Sequence, residues 1–160
     1  MRLLLIGVGR LKGGPERELF DRYFKRLGDL ARTTGFTGVE LREIDESRAR
    51  RPDDRKRDEA RLILAAAPPG ARLALLDEGG ASWSSAQWAG EIGRTRDAGA
   101  PAYALAIGGP DGLDASLRDK ARDVLSFGAM TWPHQLVRVM AAEQLYRSVA
   151  ILAGHPYHRA

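Results

Sequence analysis

The sequence predicts an α/β fold built on a mainly parallel sheet flanked by helices. Three observations support this. Short apolar runs alternate with helical patterns from one end of the chain to the other. There is no internal repeat, low-complexity tract or convincing linker, so one domain spanning residues 1–160 is the simplest division. A chain of 160 residues buries roughly 70% of the surface its unfolded form exposes, enough for a core without staples.

The elements follow in order. Leu3, Leu4, Leu5, Ile6, Gly7 and Val8 read as a strand over 2–8. An amphipathic helix over about 15–32 carries Leu19, Phe20, Tyr23, Phe24, Leu27 and Leu30 on one side. Gly35 and Gly38 punctuate the path to a strand near 38–45. Pro52 and Asp53 suit the first turn of a helix that runs to about Ala67, where Pro68, Pro69 and Gly70 stop it. A strand over 72–77 leads through a loop to a helix over about 84–97, with Ser84 or Ser85 as its cap. A strand over 102–107, a loop beginning GGPDGL, a short helix capped by Asp114 and a strand over 124–131 complete the sheet. The last helix starts after Pro133.

Composition removes several classes of function. With no cysteine, the chain has no disulfides, zinc-thiolate sites or cysteine nucleophiles. The opening apolar run is too short for a signal peptide, and none approaches the roughly 20 residues of a membrane helix. A soluble, cytoplasmic protein is expected. Twenty-five Lys and Arg against 21 Asp and Glu give a net charge of +4, which favours polyanionic partners. Much of the excess lies in RARRPDDRKRDEAR, Arg48 to Arg61, with seven basic and four acidic residues. That segment reads either as a solvated loop and helix start or as a contact to RNA phosphates.

Three regions carry candidate chemistry. Gly7, Gly9, Gly13 and Gly14 follow a strand, yet a dinucleotide fingerprint needs glycine where Lys12 stands, so a plain strand-to-helix turn is favoured. The Ile107-to-Leu113 loop leaves the carboxyl end of an apolar strand, where open α/β sheets bind ligands; Gly108 and Gly109 there read equally as a tight turn or as a platform for ligand. The exit Leu76, Asp77, Glu78, Gly79, Gly80 is of the same kind, and the two together would make one site.

The third region is 126–160, which holds all three histidines, His134, His155 and His158, around an apolar helix. Leu136, Val137, Val139, Met140, Ala142, Leu145, Tyr146 and Val149 spread around its whole circumference, so it must be covered on more than one side; a second copy is the expected cover. His134 and Arg138 share one face, and Glu143 and Arg147 share the other and suit an i, i+4 pair. His134 reads either as a helix-start residue bonded to backbone or as a functional group. Arg138 and Arg147, among apolar neighbours, each need an anionic partner. The tail, His155 to Arg159, is by default a frayed end, though its aromatic and cationic groups suit a base and a phosphate. A metal site on His155 and His158 is disfavoured by Pro156 and the lack of a third ligand.

The segments IGGPDGL, LSFGAMTWPHQLVRVMAAEQLYRS and HPYHR, with the opening LLLIGVGRLK, closely resemble the RlmH family. These are SPOUT-class methyltransferases of ribosomal large-subunit pseudouridine N(3), and the similarity spans the whole chain. Ala81, where lysine is frequent in the family, and Trp132, where Phe or Leu is usual, are departures. The resemblance implies a SPOUT fold with a deep C-terminal trefoil knot, a homodimer, and S-adenosylmethionine bound by Leu76, Gly108, Gly109 and the run Phe127, Gly128, Ala129, Met130, Thr131 and Trp132. It implies as substrate a pseudouridine in the helix 69 loop of 23S rRNA, on the assembled 70S ribosome. His134, Arg138, Tyr157, His158 and Arg159 are the candidates for binding or orienting the nucleotide, with the tail of one subunit serving the cofactor site of the other. A non-catalytic ribosome-binding or assembly factor, and a SPOUT enzyme acting on tRNA, are the alternatives.

Overall fold

A computed structural model describes residues 1–159. The strands β1 (Arg2–Val8), β2 (Gly38–Ile44), β3 (Arg72–Ala81), β4 (Ala102–Ile107) and β5 (Asp123–Leu125) form one sheet in the order β2-β1-β4-β3-β5, every pairing parallel. The helices are α1 (Pro15–Ala31), α2 (Pro52–Ala66), α3 (Ser85–Asp97) and α4 (His134–Leu152), with a single 3₁₀ turn at Ala115–Leu117.

Alternation along the strands sorts side chains to two faces. Leu3, Leu5, Tyr103, Leu105 and Ile107 meet α1, α3 and α4 through Phe20, Leu27, Trp88, Ile92, Val139 and Leu145. Leu4, Ile6, Leu73, Leu75, Ala104 and Ala106 meet α2 and the 3₁₀ turn through Ala60, Ile63 and Leu117. Strands buried on both faces explain why β1 and β4 read as continuous apolar runs.

Local signals set the ends. Pro15 and Pro52 occupy the first turns of α1 and α2, where a missing amide hydrogen costs nothing. Ser84 caps α3 reciprocally with Gln87: the Ser84 Oγ accepts from the Gln87 amide at 3.1 Å, and the Gln87 side chain accepts from the Ser84 amide at 2.8 Å.

Two expectations need correction. The strand expected over 124–131 stops at Leu125, because Ser126 Oγ accepts from the Gly128 amide at 3.1 Å and donates to the Gly128 carbonyl at 2.9 Å. Gly128 then takes φ +108°, a conformation that breaks strand geometry and favours glycine. The second concerns α4. Its apolar circumference is largely covered within the chain, since it packs against both α1 and α3 as well as the sheet-facing core. A second copy is therefore not required to explain most of that helix. What the chain leaves uncovered is confined to its start: Leu136 is 38% exposed, beside Trp132 at 40% and Met130 at 72%.

Candidate active site

Because all five strands run the same way, the turns after Val8, Ile44, Leu76, Ile107 and Leu125 share one edge of the sheet. Three of them, together with the start of α4, enclose a cleft of about 700 Å³. That lies within the roughly 300–1,000 Å³ typical of sites for small organic ligands. Its walls are Leu76, Ile107, Leu113, Phe127, Trp132 and Val137; Asp77, Glu78, Asp111, Arg118 and Lys56 bring charge to its lining.

The first wall comes from β3. It pairs with β5 through Leu76 and Leu125, leaves the sheet, and returns so that Ala81 also pairs with Leu125. A methyl group on Gly80 would lie 2.4 Å from the Leu125 carbonyl carbon, so glycine is what allows this close crossing. Asp77 Oδ1 accepts from the Gly79 amide at 2.9 Å and is ion-paired to Arg118, which fixes the bend.

The second wall is the turn after β4. Gly108 and Gly109 are buried, and added Cβ atoms would come within 3.0 Å of Gly112 and Leu113 and of Val8. Their lack of side chains therefore serves the packing of the loop on its own chain, and the cleft wall it forms is a consequence. Arg55 holds the loop from α2 by a two-point contact to Asp111, at 2.6 and 2.9 Å, which keeps that carboxyl below its usual range. Glu59, also on α2, is buried beneath Gly109; burial, and then the nearby Asp111 and Glu46, push its carboxyl upward, against the hydrogen bond it accepts from the Ser47 amide at 3.0 Å.

The third wall is the Ser126–Gly128 turn and the chain to Trp132. Phe127 packs on Trp88 with ring centroids 6.3 Å apart. Of the nine residues expected to hold cofactor, Leu76, Gly108, Gly109, Phe127, Gly128, Met130, Thr131 and Trp132 line the cleft, and Ala129 is exposed beside it. Val137, Ser126 and the stretch 110–113 also line it; they belong to the same motifs and went unassigned because sequence does not tell which side of a turn faces inward.

The five candidates for the nucleotide are not brought together. His134 lines the cleft, with its Nε2 enclosed and unpartnered among the described residues. Burial, and then the Arg138 charge, lower its pKa, so the neutral imidazole is favoured. Arg138 does not line the cleft: only 3% exposed, it donates to Glu43 Oε1 at 2.8 Å, to the Val8 carbonyl at 2.6 Å and to the Gly9 carbonyl. Its guanidinium occupies the space a side chain at Gly7 would need, with Cζ 2.6 Å from that Cβ position. The anionic partner it required is thus a carboxylate of β2, and Gly7 exists to admit it.

Tyr157 and His158 sit far down α4. The Tyr157 hydroxyl donates to Glu143 Oε1 at 2.8 Å, Arg147 pairs with Glu143 and covers the Tyr157 ring at 4.7 Å, and the Tyr146 and Tyr157 rings lie 4.6 Å apart. Arg147 Nη1 is 3.4 Å from His158 Nδ1, and Arg159 is exposed. The tail is docked on its own helix rather than frayed. At 1.5 Å rise per residue, the docking point at Arg147 is about 20 Å along the axis from His134.

The cleft can be tested against cofactor chemistry. A pyrophosphate needs free amide hydrogens at a helix start. Here the helical turn after the glycine loop is one turn long, and the Asp114 carboxylate already accepts from the Ser116 amide at 2.9 Å. Three carboxylates and two cations, Lys56 and Arg118, stand in the lining; Asp77 and Asp111 are each paired with an arginine, and Glu78 has no ion-pair partner among the described residues. Apolar walls, exposed turn backbone and acidic groups suit a phosphate-free ligand with a flat base and a positive centre, which S-adenosylmethionine is.

A parallel sheet with such a cleft at the exits of β3, β4 and β5 defines an α/β protein with a site suited to a nucleoside cofactor. The chain belongs to the SPOUT methyltransferase family: a family model described as "Predicted SPOUT methyltransferase" matches residues 1–158. A protein of Methylocella silvestris named ribosomal RNA large subunit methyltransferase H is 60% identical over 159 residues, covering 99% of each chain. One of Nitrobacter hamburgensis with the same name is 56% identical over 159 residues, again covering 99% of both. The solved SpoU methyltransferase AviRb of Streptomyces viridochromogenes, in complex with AdoMet, is 14% identical with a TM-score of 0.40; the match covers 97% of this chain and 58% of that one, and places no residue of this cleft.

Proposed function

We propose that this chain transfers the methyl group of S-adenosylmethionine to N(3) of a pseudouridine in the helix 69 loop of 23S rRNA on the assembled ribosome. The observation that carries the reading is the cleft, whose apolar walls and unpaired Glu78 carboxylate, among the described residues, fit this cofactor, in a chain 60% identical to a protein named as a large-subunit rRNA methyltransferase. Bound there, the cofactor supplies an electrophilic methyl; the chain's residues do the rest. Leu76, Phe127, Gly128 and the 108–113 turn hold its nucleoside, and Glu78, the lining carboxylate with no ion-pair partner among the described residues, offsets its positive charge. N(3) carries a proton that must leave, so alignment and help with deprotonation dominate the step. His134, kept neutral at the cleft wall, orients the incoming base.

A homodimer belongs to this reading. Met130, Trp132 and Leu136 leave apolar surface beside the cleft mouth, suited to a second copy. With the tail docked about 20 Å from the cleft of its own chain, Tyr157, His158 and Arg159 would serve the partner's cleft. The C-terminal knot also belongs to it.

Calorimetry with S-adenosylmethionine and mass spectrometry of 23S rRNA from cells lacking the protein test the assignment. Binding of the cofactor and loss of the N(3)-methylated pseudouridine are expected; persistence of that nucleotide overturns the substrate. Mixed dimers of a tail-truncated subunit with a cofactor-cleft variant test the exchange of tails, which recovery of activity supports and a complete lack of it refutes.

A further inference from the structure

We propose that the 47–51 loop, between β2 and α2, is a phosphate clamp for the RNA that flanks the reacting nucleotide, with Arg48, Arg50 and Arg51 as its contacts. The inference rests on the reading of this chain as an RNA methyltransferase. The basic segment Arg48 to Arg61 divides in two by the company its cations keep. On α2 itself, Arg55 pairs with Asp111, Lys56 with Asp53, Arg57 with Asp54 and Arg61 with Asp58. Those groups are internally neutralised. Arg48, Arg50 and Arg51 are all exposed, and none pairs with a carboxylate among the described residues.

Three like charges within four residues repel one another, and an ordinary solvated loop would relax that repulsion by moving. This one is held. The Ser47 amide donates to the buried Glu59 at 3.0 Å and the Ser47 hydroxyl to Asp58 at 2.8 Å. Arg55 Nη1 donates to the Ala49 and Arg50 carbonyls at 3.1 and 3.0 Å. The same guanidinium grips Asp111 of the cleft, so one side chain fixes both the display of the arginines and the wall behind Gly108 and Gly109. Lys56 lines the cleft on the same side. Asp45 and Glu46, which precede the loop in sequence, are both exposed, and Asp45 faces Arg10 at 3.8 Å. Free guanidiniums on a fixed loop match phosphate oxygens two at a time, and a phosphodiester backbone crossing this edge would lead its nucleotide into the cleft.

The test compares the full-length protein with the triple variant Arg48→Gln, Arg50→Gln, Arg51→Gln. Binding to 70S ribosomes and to protein-free 23S rRNA is measured over a salt series, with S-adenosylmethionine affinity and thermal midpoint alongside. The slope of log affinity against log salt is expected to lose roughly one unit per arginine on both substrates, with cofactor affinity and midpoint unchanged. An unchanged slope overturns the clamp. A loss seen with ribosomes but not with protein-free rRNA assigns the loop to an acidic ribosomal protein and equally overturns it. Methylation by the unaltered protein is followed in parallel: its absence would refute the enzymatic reading whatever the slopes show, whereas normal methylation with unchanged slopes would refute the clamp alone.

Discussion

Replacing Arg138 by alanine removes the guanidinium that joins the start of α4 to the ends of β1 and β2. Its Nη1 bonds Glu43 Oε1 at 2.8 Å, and Nη2 bonds the Val8 and Gly9 carbonyls. Without it the Glu43 carboxylate keeps, among the described residues, only the Leu11 amide, at 2.9 Å, and two strand-end carbonyls lose a donor. Breaking a buried pair from one side costs about 3–5 kcal/mol, a large part of the roughly 5–15 kcal/mol that holds a domain folded. For a chain of this size each 1 kcal/mol lowers the midpoint by about 2–4 °C, so a fall of roughly 6–20 °C is expected by calorimetry. Lysine presents its three donors from a single nitrogen, cannot reproduce the spread of Nη1 and Nη2, and should recover less than half of this. Arg138→Met combined with Glu43→Gln removes both charges and should be more stable than Arg138→Met alone. A midpoint within 2 °C of the unaltered protein, together with lost methylation, would refute the reasoning and return Arg138 to the role of nucleotide contact.

Gly80→Ala places a Cβ 2.4 Å from the Leu125 backbone; a loss of about 3 kcal/mol and weaker cofactor binding are expected by urea unfolding and calorimetry, and unchanged affinity would contradict the crossing as a cleft wall. His134 has a folded pKa below its unfolded value near 6.5, so the folded state binds fewer protons there and stability falls as pH drops below about 6.5. Midpoints of the unaltered protein and His134→Gln between pH 5 and 8 should diverge toward the acid side; parallel curves would dismiss the effect. Glu59 is shifted the other way, and its ionised form costs stability as pH rises through the raised value. Glu59→Gln, which keeps an acceptor for Ser47, should lose that decline, while Glu59→Ala should cost about 1–3 kcal/mol by leaving the amide unpaired. Tyr157→Phe deletes the bond to Glu143, and limited proteolysis should then cut the tail faster with little change in midpoint.

The elements were legible because their signals are local. Pro15, Pro52 and the Ser84 cap mark helix starts, and the uninterrupted apolar runs of β1 and β4 mark strands covered on both faces. The last strand was misjudged for an equally local reason: Ser126 and Phe127 are compatible with a strand, and only the hydroxyl of Ser126 turning back on Gly128 ends it. The cleft was legible in outline because glycine-rich exits of parallel strands must meet at one edge. The partners of charged groups were not. Sequence showed that Arg138 needed an anion, but Glu43 lies 95 residues away and is reached only through the pairing of β1 with β2. That distinction decides function. An arginine satisfied by its own fold holds the cleft in shape, and an arginine left unsatisfied on a held loop is available to a substrate. Arg138 and Arg55 are of the first kind; Arg48, Arg50 and Arg51 are of the second, and among these residues the proposed contacts to RNA belong to the unsatisfied three.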